Sequence, residues 1–339
     1  MELAETSHVE IAPGTRIARV LNGMWQMSGA HGRIDPAKAL PAMLRYHDAG
    51  FTTWDLADHY GPAEDFIGAF RELLKKSRGA AELVKVKAFT KWVPRPGPMP
   101  FAIVEKAINV FLRRMRVEKL DMLQFHWWDY DDPAYLEALD HLKTLQARDK
   151  ISLISLTNFD TAHVEAILDH GVPIVSNQVQ YSIIDQRPAA MMAPLFTRRG
   201  MHLLAYGTLC GGLLSERFLG KPEPSYRDLD TASLQKYKRM VDAWGGWKLF
   251  QELLATLDTI ARKHGTSIAN VATRHVLDQP AVAGVIIGVR LGVADHYKDN
   301  ERVFALALDG DDTRRIKEIT AKSNDLLRII GDCGDEYRR

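Results

Sequence analysis

Gly-Phe-Thr-Thr-Trp-Asp-Leu-Ala-Asp-His-Tyr-Gly, residues 50–61, is the most informative run in this chain. A short apolar and β-branched segment, Phe51 to Trp54, stops at Asp55, and Tyr60 follows five residues later. That pattern predicts a buried strand delivering a carboxylate and a phenol to the loop at its carboxyl end. Parallel sheets carry their chemistry at that end. A buried carboxylate requires a cation. A phenol acting as an acid near neutral pH requires a pKa below its ordinary value of about 10. Both demands must be met from elsewhere in the chain.

Working outward, short apolar runs alternate with longer segments of helical periodicity. The strand candidates are 18–21, 52–56, 84–89, 122–125, 151–156, 174–178, 202–206 and 285–287. Between them, Ile103, Ala107, Val110, Phe111 and Met115 share a helical face, as do Leu136, Leu139, Leu142 and Leu145. Asp160 ahead of 161–170, with Gly171 behind, supplies a helix cap and a stop. Eight strands alternating with helices predict an α/β fold, a (β/α)8 TIM barrel, with residues 1–339 forming one domain. The competing doubly wound sheet would want a Gly-rich phosphate turn after an early strand. No GxGxxG occurs, and Gly211-Gly212 stands alone. Two short alternating runs around Pro13-Gly14 predict an N-terminal β-hairpin that plugs the barrel bottom. The polar tail, 335–339, is expected to fray.

Composition narrows the class. The 339 residues are 46% hydrophobic and 26% charged, and 44 Lys plus Arg against 43 Asp plus Glu leave a net charge of +1. Such a chain has an ordinary globular balance and no basic excess to engage nucleic acid or a membrane surface. The cluster Arg113, Arg114 and Arg116 falls near the end of an amphipathic helix and reads as a solvated face. Two cysteines, Cys210 and Cys333, with no CxxC, argue against a zinc site or disulfide framework. The first residues carry acids and no apolar core, unlike a signal peptide, and no run spans a bilayer. A cytoplasmic location is the expectation, and the oligomeric state is open.

If each apolar run is a strand, the polar residues at the barrel mouth are Asp55, Lys91, His126, Asn158, Gln178, Tyr206 and Arg290. The interval from Tyr206 to Arg290 is far too long for one βα unit. Its surplus, about 207–246, is a long insertion after the seventh strand, suited to a lid or ligand clamp. Taken singly, each polar residue has a bland explanation: a capping Asp, a structural His, a surface Lys, a core Tyr. Convergence of complementary groups at one end argues for chemistry. Lys91 beside Tyr60 would stabilise the phenolate, Asp55 would hold Lys91 charged, and His126 would orient a substrate oxygen. This is a proton donor–acceptor for a carbonyl–alcohol pair, and it needs a hydride source, which must be a cofactor.

With these residues in place, the chain resembles an aldo-keto reductase. Asp55-Leu-Ala-Asp-His-Tyr60-Gly-Pro-Ala-Glu64-Asp-Phe-Ile-Gly68 is similar to the family's Asp-x-Ala-x-x-Tyr-Gly-x-x-Glu-x-x-x-Gly signature. Thr90-Lys91 and Phe125-His126 complete its tetrad of Asp55, Tyr60, Lys91 and His126. The resemblance implies nicotinamide carboxamide contacts from Thr157, Asn158 and Gln178, and stacking of the ring on Tyr206. It places Gly288, Arg290, His296 and Asn300 in the adenosine region. Arg290 would pair with a ribose 2′-phosphate, while His296 stands where a second Arg is usual, so NADP(H) is favoured over NAD(H).

Trp25, Trp92, Trp127 and Trp128 follow strands 1, 3 and 4 and are expected around an aromatic substrate pocket, two of the four as true walls, with Met24 and Met27 as adaptable surface. A flat or aromatic aldehyde or ketone fits better than a sugar phosphate, for which no basic residues converge. The sequence therefore predicts NADPH-dependent reduction of a small carbonyl to an alcohol. A cofactor-binding redox-sensing subunit with little turnover is the alternative from another class. An aldolase using Lys91 as a Schiff-base lysine, or a metal-dependent hydrolase, accounts for fewer of these residues.

Overall fold

In the computed structural model, which describes residues 3–29 and 34–338, the chain begins with two antiparallel strands, β1 (His8–Ala12) and β2 (Thr15–Ala18). Gly14, at φ +74°, makes the turn between them. Ile11 and Ile17 from this hairpin pack on Leu21, Phe89, Met122 and Leu204 inside the barrel. Each buried isoleucine is worth about 1.5–3 kcal/mol, enough to hold the plug against one end.

Eight parallel strands then close the barrel: β3 (Val20–Gly23), β4 (Thr53–Asp55), β5 (Lys87–Trp92), β6 (Leu120–Phe125), β7 (Ile151–Thr157), β8 (Ile174–Gln180), β9 (His202–Tyr206) and β10 (Val282–Gly288). β10 pairs with β3 to complete the ring. The expected runs fall on these strands with ends displaced by a few residues. The largest shift is at β5, where 84–85 belong to a helical turn rather than the strand.

Around the barrel run α1 (Pro36–Asp48), α2 (Ala63–Arg78), α3 (Phe101–Met115), α4 (Ala134–Ala147), α5 (Thr161–Asp169), α6 (Arg187–Ala190), α7 (Met192–Arg199), α8 (Ala232–Trp244), α9 (Gly246–Lys263) and α10 (Ile268–Leu277), followed by α11 (Tyr297–Glu301), α12 (Gly310–Thr320) and α13 (Leu326–Ile330). Asp160 caps α5 by accepting from the His163 amide, and Gly171 turns away at φ +83°. The segment between β9 and α9 is packed: Leu213, Leu214, Leu234, Tyr237, Val241 and Trp244 form a second core with Phe250 and Leu253 of α9. Among the described residues no helix is long and apolar enough to cross a membrane.

Strand alternation positions the site. Leu21, Phe89, Met122 and Leu204 fill the barrel beside the plug. Two residues further along their strands, and so on the same face, come Lys91 and Gln124, joined there by Asp55 and Gln178. The apolar layer thus floors a polar one at the carboxyl-terminal mouth.

Candidate active site

Asp55 is buried at the end of β4 and accepts four hydrogen bonds from three side chains. Lys91 Nζ reaches its Oδ1 at 2.8 Å and Oδ2 at 2.6 Å, and the amides of Gln124 and Gln178 reach Oδ1 at 2.9 and 2.6 Å. Lys91 spends its remaining reach on the Leu56 carbonyl at 2.9 Å. Burial pulls the Lys91 ammonium below its ordinary pKa, with Asp55 opposing that effect.

Tyr60 lies over this pair, its ring centroid 5.2 Å from Lys91 Nζ. The phenol does not behave as the sequence predicts. Burial first, and then the charge of Asp55, push its pKa well above 10. Asp55 cancels the Lys91 charge, so the pair as a unit cannot draw the phenol's proton away.

The loop that carries Tyr60 is tied down by the rest of the signature. Asp58 accepts from the Val93 amide at 2.8 Å, and Arg114 holds the buried Glu64 at 2.7 Å while Thr90 donates to the other Glu64 oxygen. Gly68 gives α2 its close approach to α3, because a Cβ there would stand 2.5 Å from the Arg114 carbonyl.

His126 has Nδ1 2.9 Å from the Thr157 carbonyl oxygen, so Nδ1 carries the hydrogen. Its Nε2 is buried without a hydrogen-bond partner among the described residues. Burial lowers the His126 pKa to about 4. The imidazole is therefore neutral at neutral pH and offers a lone pair at Nε2, which differs from the carbonyl-orienting donor expected of it.

A cavity of about 950 Å³ opens over these groups. Asp55, Tyr60, Lys91 and His126 line it, as do Gly288, Arg290, His296 and Asn300, with Thr157, Asn158, Gln178 and Tyr206 also on its walls. Gln178 has both amide hydrogens turned inward on Asp55 and Gln124, leaving only its carbonyl oxygen for a ligand. Asn158, held at φ +56°, accepts from Tyr206 Oη at 2.9 Å. Gly288 leaves room for Gln26, whose amide would meet any added Cβ.

Of the four tryptophans, Trp25 and Trp128 reach the cavity. Trp92 and Trp127 do not: Trp92 packs on Phe125 at 5.5 Å, and Trp127 is fully buried, donating to the Asp132 carbonyl. Met24 and Met27 are also core residues.

The tail departs most from expectation. Residues 335–338 are docked rather than frayed, while Arg339 lies outside the described residues. Buried Arg187 grips Asp185 through two nitrogens at 2.8 Å and reaches Glu336 at 3.0 Å. Arg338 stacks 3.9 Å over Tyr130 and donates to the Trp127 carbonyl. Tyr337 is thereby carried into the cavity, 6.3 Å from the His126 ring and 2.9 Å from Tyr206 Oη. Lys236 of α8 donates to its hydroxyl at 2.5 Å. The sequence reading missed Gln124, Lys236 and Tyr337; only Gln124 carries a local signal, as a polar residue in an apolar strand.

The residues fit a nicotinamide dinucleotide. Thr157 Oγ1 is buried without a partner among the described residues, and Gly212, at φ +103°, leaves open space where a Cβ would stand on the wall after β9. Arg217 and Arg290 line the cavity with no carboxylate at ion-pair distance among the described residues.

Comparisons with known proteins agree with this architecture. The model of the aldo/keto reductase family matches residues 19–321. Flagellar radial spoke protein 5 of Chlamydomonas reinhardtii is 29% identical over 66% of this chain, which spans only about half (49%) of that protein. Aldo-keto reductase YhdN of Bacillus subtilis is 25% identical over 82% of each chain. Among solved structures, a glycerol dehydrogenase of Gluconobacter oxydans superposes with a TM-score of 0.76 at 22% identity, covering 97% of this chain and 98% of that one. An aldo/keto reductase of Klebsiella pneumoniae, crystallised with NADP and acetate, gives 0.68 at 18% identity over 93% and 95%. With the family model spanning most of its barrel, this chain belongs to the aldo/keto reductase family.

Proposed function

We propose that the protein reduces an aldehyde or ketone to an alcohol with NADPH, Tyr60 giving the proton to the carbonyl oxygen. The observation that carries this reading is the buried Asp55–Lys91 pair beneath Tyr60, with His126 Nε2 beside it, all facing one cavity. Held by Thr157, Asn158, Gln178 and Tyr206 on the cavity wall, NADPH would supply the hydride. Asp55 and Lys91 form a rigid, neutral support under the phenol, and burial keeps Tyr60 protonated, so its proton is present for the carbonyl but held more tightly than in a free phenol. His126, neutral with a free Nε2, accepts from a hydroxyl rather than donating to a carbonyl. It therefore positions the alcohol side of the reaction. Replacing His126 with Phe should raise KM for the alcohol by about tenfold, the loss of one hydrogen bond, and move KM for the carbonyl less. Steady-state kinetics in both directions checks this.

Arg290 supports NADPH over NADH. It is exposed beside the cavity and has no side-chain ion pair among the described residues. A guanidinium there matches a 2′-phosphate in bidentate fashion. Arg290→Ala should weaken NADPH by about 10–100-fold, since a charged hydrogen bond contributes about 1.5–3 kcal/mol, and leave NADH nearly unchanged. Equal effects in fluorescence titrations would remove the 2′-phosphate role.

The activity itself is tested by absorbance at 340 nm across aldehydes and ketones, aromatic ones first, because Trp25, Trp128, Tyr206 and Tyr337 line the cavity. Consumption of NADPH in proportion to carbonyl is the expected result. Tight NADPH binding with no oxidation over a broad panel would instead favour a redox sensor.

A further inference from the structure

Lys236 of α8 lines the cavity among three tyrosine rings. Lys236 Nζ lies 5.0, 5.2 and 4.9 Å from the ring centroids of Tyr206, Tyr237 and Tyr337. No carboxylate is within ion-pair distance of it among the described residues. Lys238, two residues along the same helix, is by contrast paired with both Glu223 at 2.7 Å and Asp242 at 2.5 Å. Glu336 in the docked tail is near enough for Lys236 to lower its pKa, but it makes no ion pair with Lys236, and its Oε2 is held by Arg187 and the Gly334 amide, each at 3.0 Å. Lys91, the other lysine on the cavity wall, is spent on Asp55.

Hydrogen directions sharpen the point. Tyr206 donates to Asn158 Oδ1, so at the Tyr206–Tyr337 contact the Tyr337 hydroxyl must be the donor. Lys236 in turn donates to Tyr337. The chain runs one way, from ammonium to Asn158, and uses one of the three Lys236 hydrogens. Two donors remain, on a charged group lining a cavity. The three aromatic rings compensate the charge only in part, each cation–π contact being weaker than a desolvated ion pair. Tyr337 also sets the distance to the chemistry. Its hydroxyl meets Lys236, and its ring centroid is 6.3 Å from that of His126.

We propose that Lys236 anchors a carboxylate on the substrate, so that the preferred carbonyl compounds are oxo-acids whose two groups are separated by about the length of one tyrosine side chain. This rests on the carbonyl reductase reading above and adds the substrate class. Arg217 and Arg290 remain for the phosphates of the cofactor, and Lys236 serves the substrate.

The test separates the anchor from the activity by measuring binding without turnover. 4-(Hydroxymethyl)benzoate and its neutral amide, 4-(hydroxymethyl)benzamide, are titrated calorimetrically into the NADP+ complex of the wild type, K236M and K236R. The wild type should bind the acid at least about tenfold more tightly than the amide, as one charged hydrogen-bonded contact implies. K236M should lose that preference while keeping its affinity for NADP+ and for the amide, and K236R should retain it. Three results would each overturn the anchor: no acid preference in the wild type, a preference surviving in K236M, or a loss of NADP+ affinity in K236M with the acid-to-amide ratio intact. The last would make Lys236 a cofactor phosphate ligand. A tighter hold on 4-(hydroxymethyl)phenyl phosphate than on the benzoate, lost in K236M, would overturn the carboxylate assignment. Acid preference in a wild type that reduces no aldehyde would leave the anchor standing and remove the reductase reading.

Discussion

Tyr60→Phe should lower kcat/KM for carbonyl reduction by about 10³-fold, within the 10²–10⁴ that a positioned general acid contributes, and leave the NADPH Kd within about twofold. The substitution keeps the ring that faces Lys91 at 5.2 Å and removes only the hydroxyl. Single-turnover mixing reads the chemical step, and a fluorescence titration reads the cofactor. Lost cofactor affinity with the bound fraction still turning over would count against Tyr60 as the acid. The pH dependence follows from the direction of its pKa. Burial and Asp55 hold the phenol protonated well past its ordinary range. Reduction, which uses the protonated form, should therefore be flat across neutral pH in wild type. Alcohol oxidation, which needs the phenolate, should climb with pH over the same interval. A wild-type reduction rate that falls steeply through neutrality would mean that some other group gives the proton.

What the sequence made legible follows from how local each signal is. Phe51 to Asp55 could be read as a strand and its carboxyl end because alternation and the abrupt polar stop lie within five residues. The Asp160 cap and the Gly14 turn were equally local, each set by one residue's side chain or backbone freedom. The barrel mouth could be assembled because every parallel strand delivers its next polar residue to the same end. Signals that depend on the return of distant chain were not legible. Lys236 and Tyr337 are 101 residues apart and meet only because Arg187 and Arg338 pin the tail across the mouth. A polar terminal segment looks the same in sequence whether it is docked or loose. Trp92 and Trp127 show the complementary failure. Their place after strands 3 and 4 put them at the correct end, but facing is decided by packing against Phe125 and Asp132. The sign of the Tyr60 shift was missed for an electrostatic reason. A cation placed near a phenol lowers its pKa only if no anion is held closer to that cation, and Asp55 is.

Lys91→Met should cost about 3–5 kcal/mol of folding stability, the usual penalty for removing one partner of a buried ion pair. Asp55 would keep the amide donors of Gln124 and Gln178 at 2.9 and 2.6 Å but lose its one ion-pair partner among the described residues. Methionine fills most of the lysine's volume, so the loss reports charge rather than a cavity. The cause is separable by a second change. Asp55→Asn in the Lys91→Met background removes the orphaned charge, and its carbonyl oxygen can still accept from Gln124 and Gln178. The double variant should therefore regain a large part of the lost stability in urea unfolding. It should regain none of the activity, because the ammonium under Tyr60 and the carboxylate that aims it are both gone. Were the single variant as stable as wild type, the pair would contribute nothing net to the fold. Were the double variant no more stable than the single, the cost would lie in packing around β4 and β5 rather than in the charge of Asp55. Recovery of stability without recovery of turnover is the outcome that assigns this pair to the chemistry: two well-packed neutral side chains would satisfy the barrel interior, and only the ion pair supplies a fixed support beneath the phenol.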